Sequence, residues 1–289
     1  MDLPPSRAVP QNLFIGIAGW QDPALLPLLA SQNSNGVLAF LARAFNLIEI
    51  SSSFYQPLDL KTAQQWLALT KDNLRLRFTV RLWQKLVREH SANFKTDVHQ
   101  FKAGLEPFVQ SRRLGALIAP FSPAFRQSRA NQDWILGLAD AFAGYPFVIE
   151  LHHHSWQEAG AQQDLLNSGA SIAHVDQPRF GRSFIFNQKA PSRLAYLRFD
   201  GRNQATWLEA NASRDQRHDY IYSAADLAAI AANIKTLLGQ TSACYAVFNN
   251  YTNGQALANA LQLQAALTGA SINAPAALRH RFPFLEERI

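Results

Sequence analysis

The stretch Leu47-Ile48-Glu49-Ile50-Ser51-Ser52-Ser53-Phe54 decides how the chain folds. Ile48 and Ile50 are apolar, whereas Glu49, Ser51 and Ser53 share the other parity. Side chains alternate between faces along a strand, so the pattern reads as a strand with one apolar and one polar side. The same alternation recurs further on. Ile149 and Leu151 oppose Glu150 and His152; Ala173 and Val175 oppose His174 and Asp176. Leu197 and Phe199 oppose Tyr196, Arg198 and Asp200, while Ala246 and Phe248 oppose Asn249. Parallel strands covered on both faces normally read as continuous apolar runs. Polar residues on one parity, concentrated toward strand C-termini, match the place where α/β barrels keep their sites. The expectation is that Glu49, Glu150, Asp176, Arg198 and Asn249 all point into a barrel.

Working outward, strand-like runs occur at 13–19, 47–54, 74–81, 114–121, 146–152, 171–176, 194–200 and 244–250. Segments of helical period separate most of them, for example Val98, Phe101, Leu105 and Phe108, or Leu227, Ile230, Ile234 and Leu238 after a capping Ser223. Strand alternating with helix predicts a parallel sheet, and eight such units predict a single (β/α)8 TIM-type barrel. Between strands six and seven, residues 178–192 show no helical period, so a distorted or seven-stranded barrel and an open doubly wound sheet stay open. Residues 1–12 read as a loose arm and 13–289 as one barrel domain. The segment 201–222 lacks a periodic pattern yet carries Trp207, Arg214, Arg217, Tyr220 and Tyr222. Following a barrel strand, it would lie over the mouth as a lid.

The composition bounds the function. The chain has 289 residues, 48% of them hydrophobic and 17% charged, ample for a large core. Its single cysteine, Cys244, rules out an intrachain disulfide and a Cys-based zinc site. That usage and the lack of an apolar leader or membrane span suggest a cytoplasmic protein. Net charge is +6, but the basic residues are scattered, so a small-molecule ligand is favoured over nucleic acid as partner.

The triplet His152-His153-His154 resembles a metal tract. Only His152 and His154 could share a centre, with Glu150 and Asp176, so a divalent metal is an alternative and not the favoured reading. No G-x-S-x-G, Walker A or G-x-G-x-x-G motif occurs, which disfavours serine-hydrolase, P-loop and dinucleotide readings. Thr252-Asn253-Gly254 opens a helix after strand eight, as an anion site or as an ordinary cap. The expected acid/base groups are Glu150, Asp176 and Glu49, with Arg198 and Arg202 orienting an anion. Arg81, His152, Asp200, Asn249 and Asn250 complete the polar set, and Trp20, Tyr55, Trp83 and Trp156 would wall the pocket. The competing reading pairs Glu49 and Glu150 with Arg198 and Arg81 as a structural network, because unpaired buried charge is costly.

Taken together, several motifs resemble the YecE-like family, domain of unknown function 72. They are IGIAGW at 15–20, FNLIEISSSFY at 45–55, VIELHHHSW at 148–156, HVDQP at 174–178, YLRFDGRN at 196–203 and FNNYTNGQALANALQL at 248–263. The resemblance implies a TIM-type barrel over nearly the whole chain, without implying a reaction. The family pattern has Asn at Ser51, Thr at Ser53, Lys at Arg81, Arg at His152 and His at Asp200. The expectation is a barrel that binds or transforms a small anionic or hydroxylated substrate; alternatives are a non-catalytic binding barrel and, less favoured, a nucleic-acid binder.

Overall fold

The computed structural model describes residues 9–89, 92–181, 183–184, 193–269 and 271–286. Its sheet contains nine parallel segments: β1 (Leu13–Ala18), β2 (Leu47–Ile50), β3 (Arg77–Arg81), β4 (Leu114–Pro120), β5 (Phe147–Glu150), β6 (Ser171–Ile172), β7 (His174–Asp176), β8 (Leu194–Phe199) and β9 (Ala243–Phe248). Their order is β6-β5-β4-β3-β2-β1-β9-β8-β7. The two ends of that order are consecutive in the chain. Ala173 alone separates β6, which bonds β5, from β7, which bonds β8. The expected sixth strand is therefore one run that changes partners half-way, leaving a nearly closed barrel with a narrow unsealed seam.

Helices fill the connections. The principal ones are Ser34–Ala44, Leu60–Leu69, Phe94–Gln110, Arg129–Ala141, Ala159–Asn167, Ala224–Leu238 and Gln255–Thr268. Asn33, Asp59, Ser128 and Ser223 cap four of them through side-chain oxygens, satisfying otherwise orphaned N–H groups. The main apolar core lies between this helical layer and the outer face of the strands. Most of 178–192 lies outside the described residues, as does 1–8 of the expected arm. From Val9 onward the arm is docked: Val9 is buried, and Arg75 donates to the carbonyls of Val9 and Pro10.

The barrel interior is stratified. Its lower part is apolar and aromatic, with Phe14 stacked on Tyr245 at 5.0 Å. Above, Thr79 and Tyr196 share a hydrogen bond, and Tyr196 donates to Glu49. Arg81, Glu150 and Arg198 form the top layer. Polarity thus rises toward the strand C-termini.

Two parity expectations need correction. In β7 the inward residue is Val175, which lies beside Arg198 in the ladder. Asp176 lies beside Phe199, whose ring stacks on Phe248 in the helix-facing core, so Asp176 points outward. Inferring the inner face from polarity failed because Asp176 finds its charge partner, Arg202, on the helix side of the strand. The second correction concerns β2, which ends at Ile50 and gives way to a 3-10 turn, Ser52–Phe54. The Ser53 hydroxyl donates to the carbonyls of Ile50 and Arg81, a local alternative to continuing the strand.

Candidate functional site

The strand ends open into a cavity of about 840 Å³. Its floor is an ion-pair network. Glu49, 0% exposed, receives Arg198 Nη1 at 2.7 and 2.6 Å, the Tyr196 hydroxyl at 2.6 Å and the Ser51 hydroxyl at 3.1 Å. The carboxylate is spent on fixing Arg198 and does not reach the cavity wall. Arg198 Nε faces Asp200 at 3.1 Å and Glu150 at 3.6 Å, while its Nη2 has no hydrogen-bond partner. Burial opposes the arginine charge, but Glu49, Asp200 and Glu150 more than restore it and keep the guanidinium protonated.

Glu150 shares the Arg198 Nε with Asp200. Its Oε1 is 3.2 Å from His152 Nε2 and 3.6 Å from Arg81, and its Oε2 is buried without a hydrogen-bond partner. Burial alone would raise its pKa. Arg81 and Arg198, then His152, outweigh that and hold the carboxyl well below the usual carboxylate range. The neighbouring cations thus favour the ionised, hydrogen-bond-accepting form of Glu150. Asn249 donates to Asp200 at 2.7 Å, bringing both to the rim.

The remaining expected residues do not all meet at the cavity. Tyr55, Arg81 and His152 line the cavity beside Glu150, Arg198, Asp200 and Asn249. Asp176 and Arg202 stand outside it. Arg202 grips Asp176 at 2.7 and 2.6 Å and reaches Asp226 at 2.7 Å, a cluster that ties β7 to the helix Ala224–Leu238 and leaves Arg202 no reach toward an anion in the cavity. Trp156 and Asn250 are internal. Trp156 is wholly buried with its indole N–H on the Phe125 carbonyl, and Asn250 donates to Tyr220 and Asn259. Trp20 borders a neighbouring smaller cavity, and Trp83 donates to the Tyr55 carbonyl. The capping reading of Thr252 and Asn253 gives way: Thr252 donates to the Asp215 carbonyl, and the helix Gln255–Thr268 has no side-chain cap. Among the described residues no three His, Cys, Asp or Glu side chains converge as a metal site.

The segment 201–222 does cover the mouth. It is not the unstructured loop expected, since it contains the short helices Gln204–Trp207 and Arg214–Arg217. It is also pinned down: Tyr222 N–H donates to Asn259, Tyr220 N–H to Gln255, and Tyr251 to Asp215. These bonds describe a docked roof. It brings Trp207, Arg214, Arg217 and His218 to the cavity.

His218 is the functional candidate that strand parity could not find, because it sits on this roof. Its Nδ1 is 2.9 Å from the Asp200 carbonyl oxygen, which can only accept; Nδ1 must carry the proton and Nε2 keep its lone pair. Burial pushes the imidazole below its ordinary 6.5, against Asp200 and with Arg214. An unfolded chain then binds more protons than the folded one below about pH 6.5, so stability should fall as pH drops through that range. His218→Gln should make the pH dependence of the urea midpoint shallower between about pH 7 and 5.5, by at most one proton's worth, roughly 1.4 kcal/mol per pH unit. Identical slopes for the two proteins would mean that the ring is not shielded. Arg88 and Arg126, from loops after β3 and β4, were also missed, having no strand register to betray them.

The family model described as protein of unknown function DUF72 matches residues 14–280. The chain belongs to the DUF72 family. Among curated proteins it resembles the UPF0759 protein YunF of Bacillus subtilis (strain 168), with 22% identity over 267 residues, 87% of this chain and 93% of that protein. Among solved structures, a DUF72 family protein from Enterococcus faecalis V583 superposes with a TM-score of 0.79 at 22% identity, covering 90% of this chain and 97% of the other. A DUF72 family protein from Thermotoga maritima MSB8 gives 0.77 at 25% identity, with 88% and 98% covered. Ser51, Arg81, His152 and Asp200 all border the cavity, whereas the Ser53 hydroxyl is turned onto the Ile50 and Arg81 carbonyls.

Proposed function

We propose that this DUF72 barrel binds a small molecule bearing an oxyanion and acts on it by proton transfer at the strand-end cavity. The observation that carries the reading is charge. Among the described residues, Arg81, Arg88, Arg126, Arg198, Arg214 and Arg217 border the cavity against Glu150 and Asp200, and with Glu49 beneath Arg198 the excess is three positive charges. Guanidinium groups match phosphate and carboxylate geometry, and a concave site concentrates their field. Arg198 is held rigidly by Glu49, so it costs little to organise on binding. Arg81 has only long ion-pair distances, 3.6 and 3.9 Å, and is placed to turn toward a ligand.

Roles follow from protonation. Glu150, with Oε2 at ion-pair distance from Arg198 but accepting no hydrogen bond, fits accepting one from a ligand hydroxyl. His218, neutral with a free Nε2, fits taking up a proton. The acid/base role expected of three carboxylates thus contracts to one carboxylate that orients and one imidazole that exchanges. A non-catalytic binding barrel would use the same arginines without His218.

Inorganic phosphate is the simplest probe. Calorimetry should detect binding, and the melting temperature should rise with phosphate as linkage requires. Arg81→Met should weaken that binding about tenfold to a hundredfold, the worth of charge-assisted hydrogen bonds. Absence of phosphate binding to the wild-type protein would overturn the proposal, as would an unchanged affinity in Arg81→Met.

A further inference from the structure

A second cavity, of about 260 Å³, adjoins the arginine-lined one. It sits at the ends of β1, β2 and β9, and the two share Ser51, Tyr55, Arg214 and Asn249 as a common wall. Their chemistry differs. The small cavity is bounded chiefly by Ile17, Trp20, Leu25, Tyr251 and Leu257, and among the described residues Arg214 is the one cation that lines it. The Arg214 guanidinium lies 5.3 Å above the Tyr251 ring, at the boundary between the two spaces. Tyr55, on the same boundary, is 58% exposed, an unusually open aromatic side chain at the edge of a pocket.

We propose that the small cavity receives the apolar, ring-sized part of a ligand whose single oxyanion lies among the arginines of the large one. This rests on the anion reading above and narrows it to an aromatic or short aliphatic phosphate monoester or carboxylate. Apolar walls gain by losing water to a ring or short chain, and gain nothing from a free inorganic ion. Tyr55 and Tyr251 supply aromatic surface on which a ring can pack in an offset or edge-on arrangement. Arg214 stands where the charged head would join the tail. Asp22 also borders the small cavity, and its carboxylate opposes placing a second anionic group there. The ligand is accordingly charged at one end only.

The test compares inorganic phosphate with phenyl phosphate by calorimetry, on the wild-type protein and on Ser52→Trp. Ser52 borders the small cavity and not the large one, so the indole should fill the former and spare the latter. Phenyl phosphate should bind the wild type about tenfold or more tighter than phosphate, the return expected from burying a ring. In Ser52→Trp that preference should shrink to about twofold with phosphate affinity kept. Should Ser52→Trp not fold, Gln21→Trp at the exposed rim of the same cavity makes the same comparison. Phosphate binding without a phenyl preference in the wild type overturns this inference alone. A preference that survives filling the cavity overturns it too. Loss of both ligands in the wild type overturns the anion reading beneath it.

Discussion

Arg198→Met should cost about 3–5 kcal/mol of stability, the price of leaving a buried charge without its partner. Glu49 is fully buried and receives Arg198 Nη1 on both of its oxygens, while Glu150 and Asp200 lean on Arg198 Nε. Methionine has comparable length and no donors, so the deficit would come from stranded carboxylates and not from a cavity. Urea denaturation gives the number. The double variant Glu49→Gln/Arg198→Met should recover a large part of the loss, because the stranded charge is then gone. A parallel cycle with Glu150→Gln should show coupling of roughly 0.5–3 kcal/mol, as for residues in contact. If Arg198→Met were as stable as the wild type, the network would not be the keystone of the barrel top.

Asn259→Leu should have the next largest effect, about 3 kcal/mol, and should be felt mainly on the roof. Asn259 is fully buried in the helix Gln255–Thr268. Its Oδ1 accepts from Tyr222 N–H at 3.0 Å and from Asn250 at 2.9 Å, while its Nδ2 donates to the Tyr222 carbonyl and to Gln262. Leucine fills similar space and strands those groups, each a desolvation cost of about 1–3 kcal/mol when nothing replaces the bond. Hydrogen exchange across 201–222 should accelerate selectively. Phosphate affinity should fall as well, since Arg214, Arg217 and His218 ride on that segment. Unaltered exchange there would mean that the roof is held by its other anchors, Asn250 to Tyr220 and Tyr251 to Asp215, and that Asn259 serves only its own helix.

What the sequence determined by itself was whatever depends on local period. Alternation in residues 47–50, 147–150 and 194–199 put Glu49, Glu150 and Arg198 on one face, and the strand–helix rhythm made that face the inside of a barrel. Which polar residue meets which was beyond it, because pairing across a barrel depends on register between strands far apart in the chain. Glu49 and Arg198 are 149 residues apart yet touch, which turns Glu49 from an expected acid/base group into the anchor of an arginine. Asp176 shows the limit of the parity rule. Polarity identifies an inner face only where no partner waits on the other side, and Asp176 meets Arg202 there. His218, Arg88 and Arg126 lie on connections with no period to read. Their convergence on the cavity is decided by the docking of loops onto the strand ends, through hydrogen bonds such as His218 to the Asp200 carbonyl that only the folded chain can form.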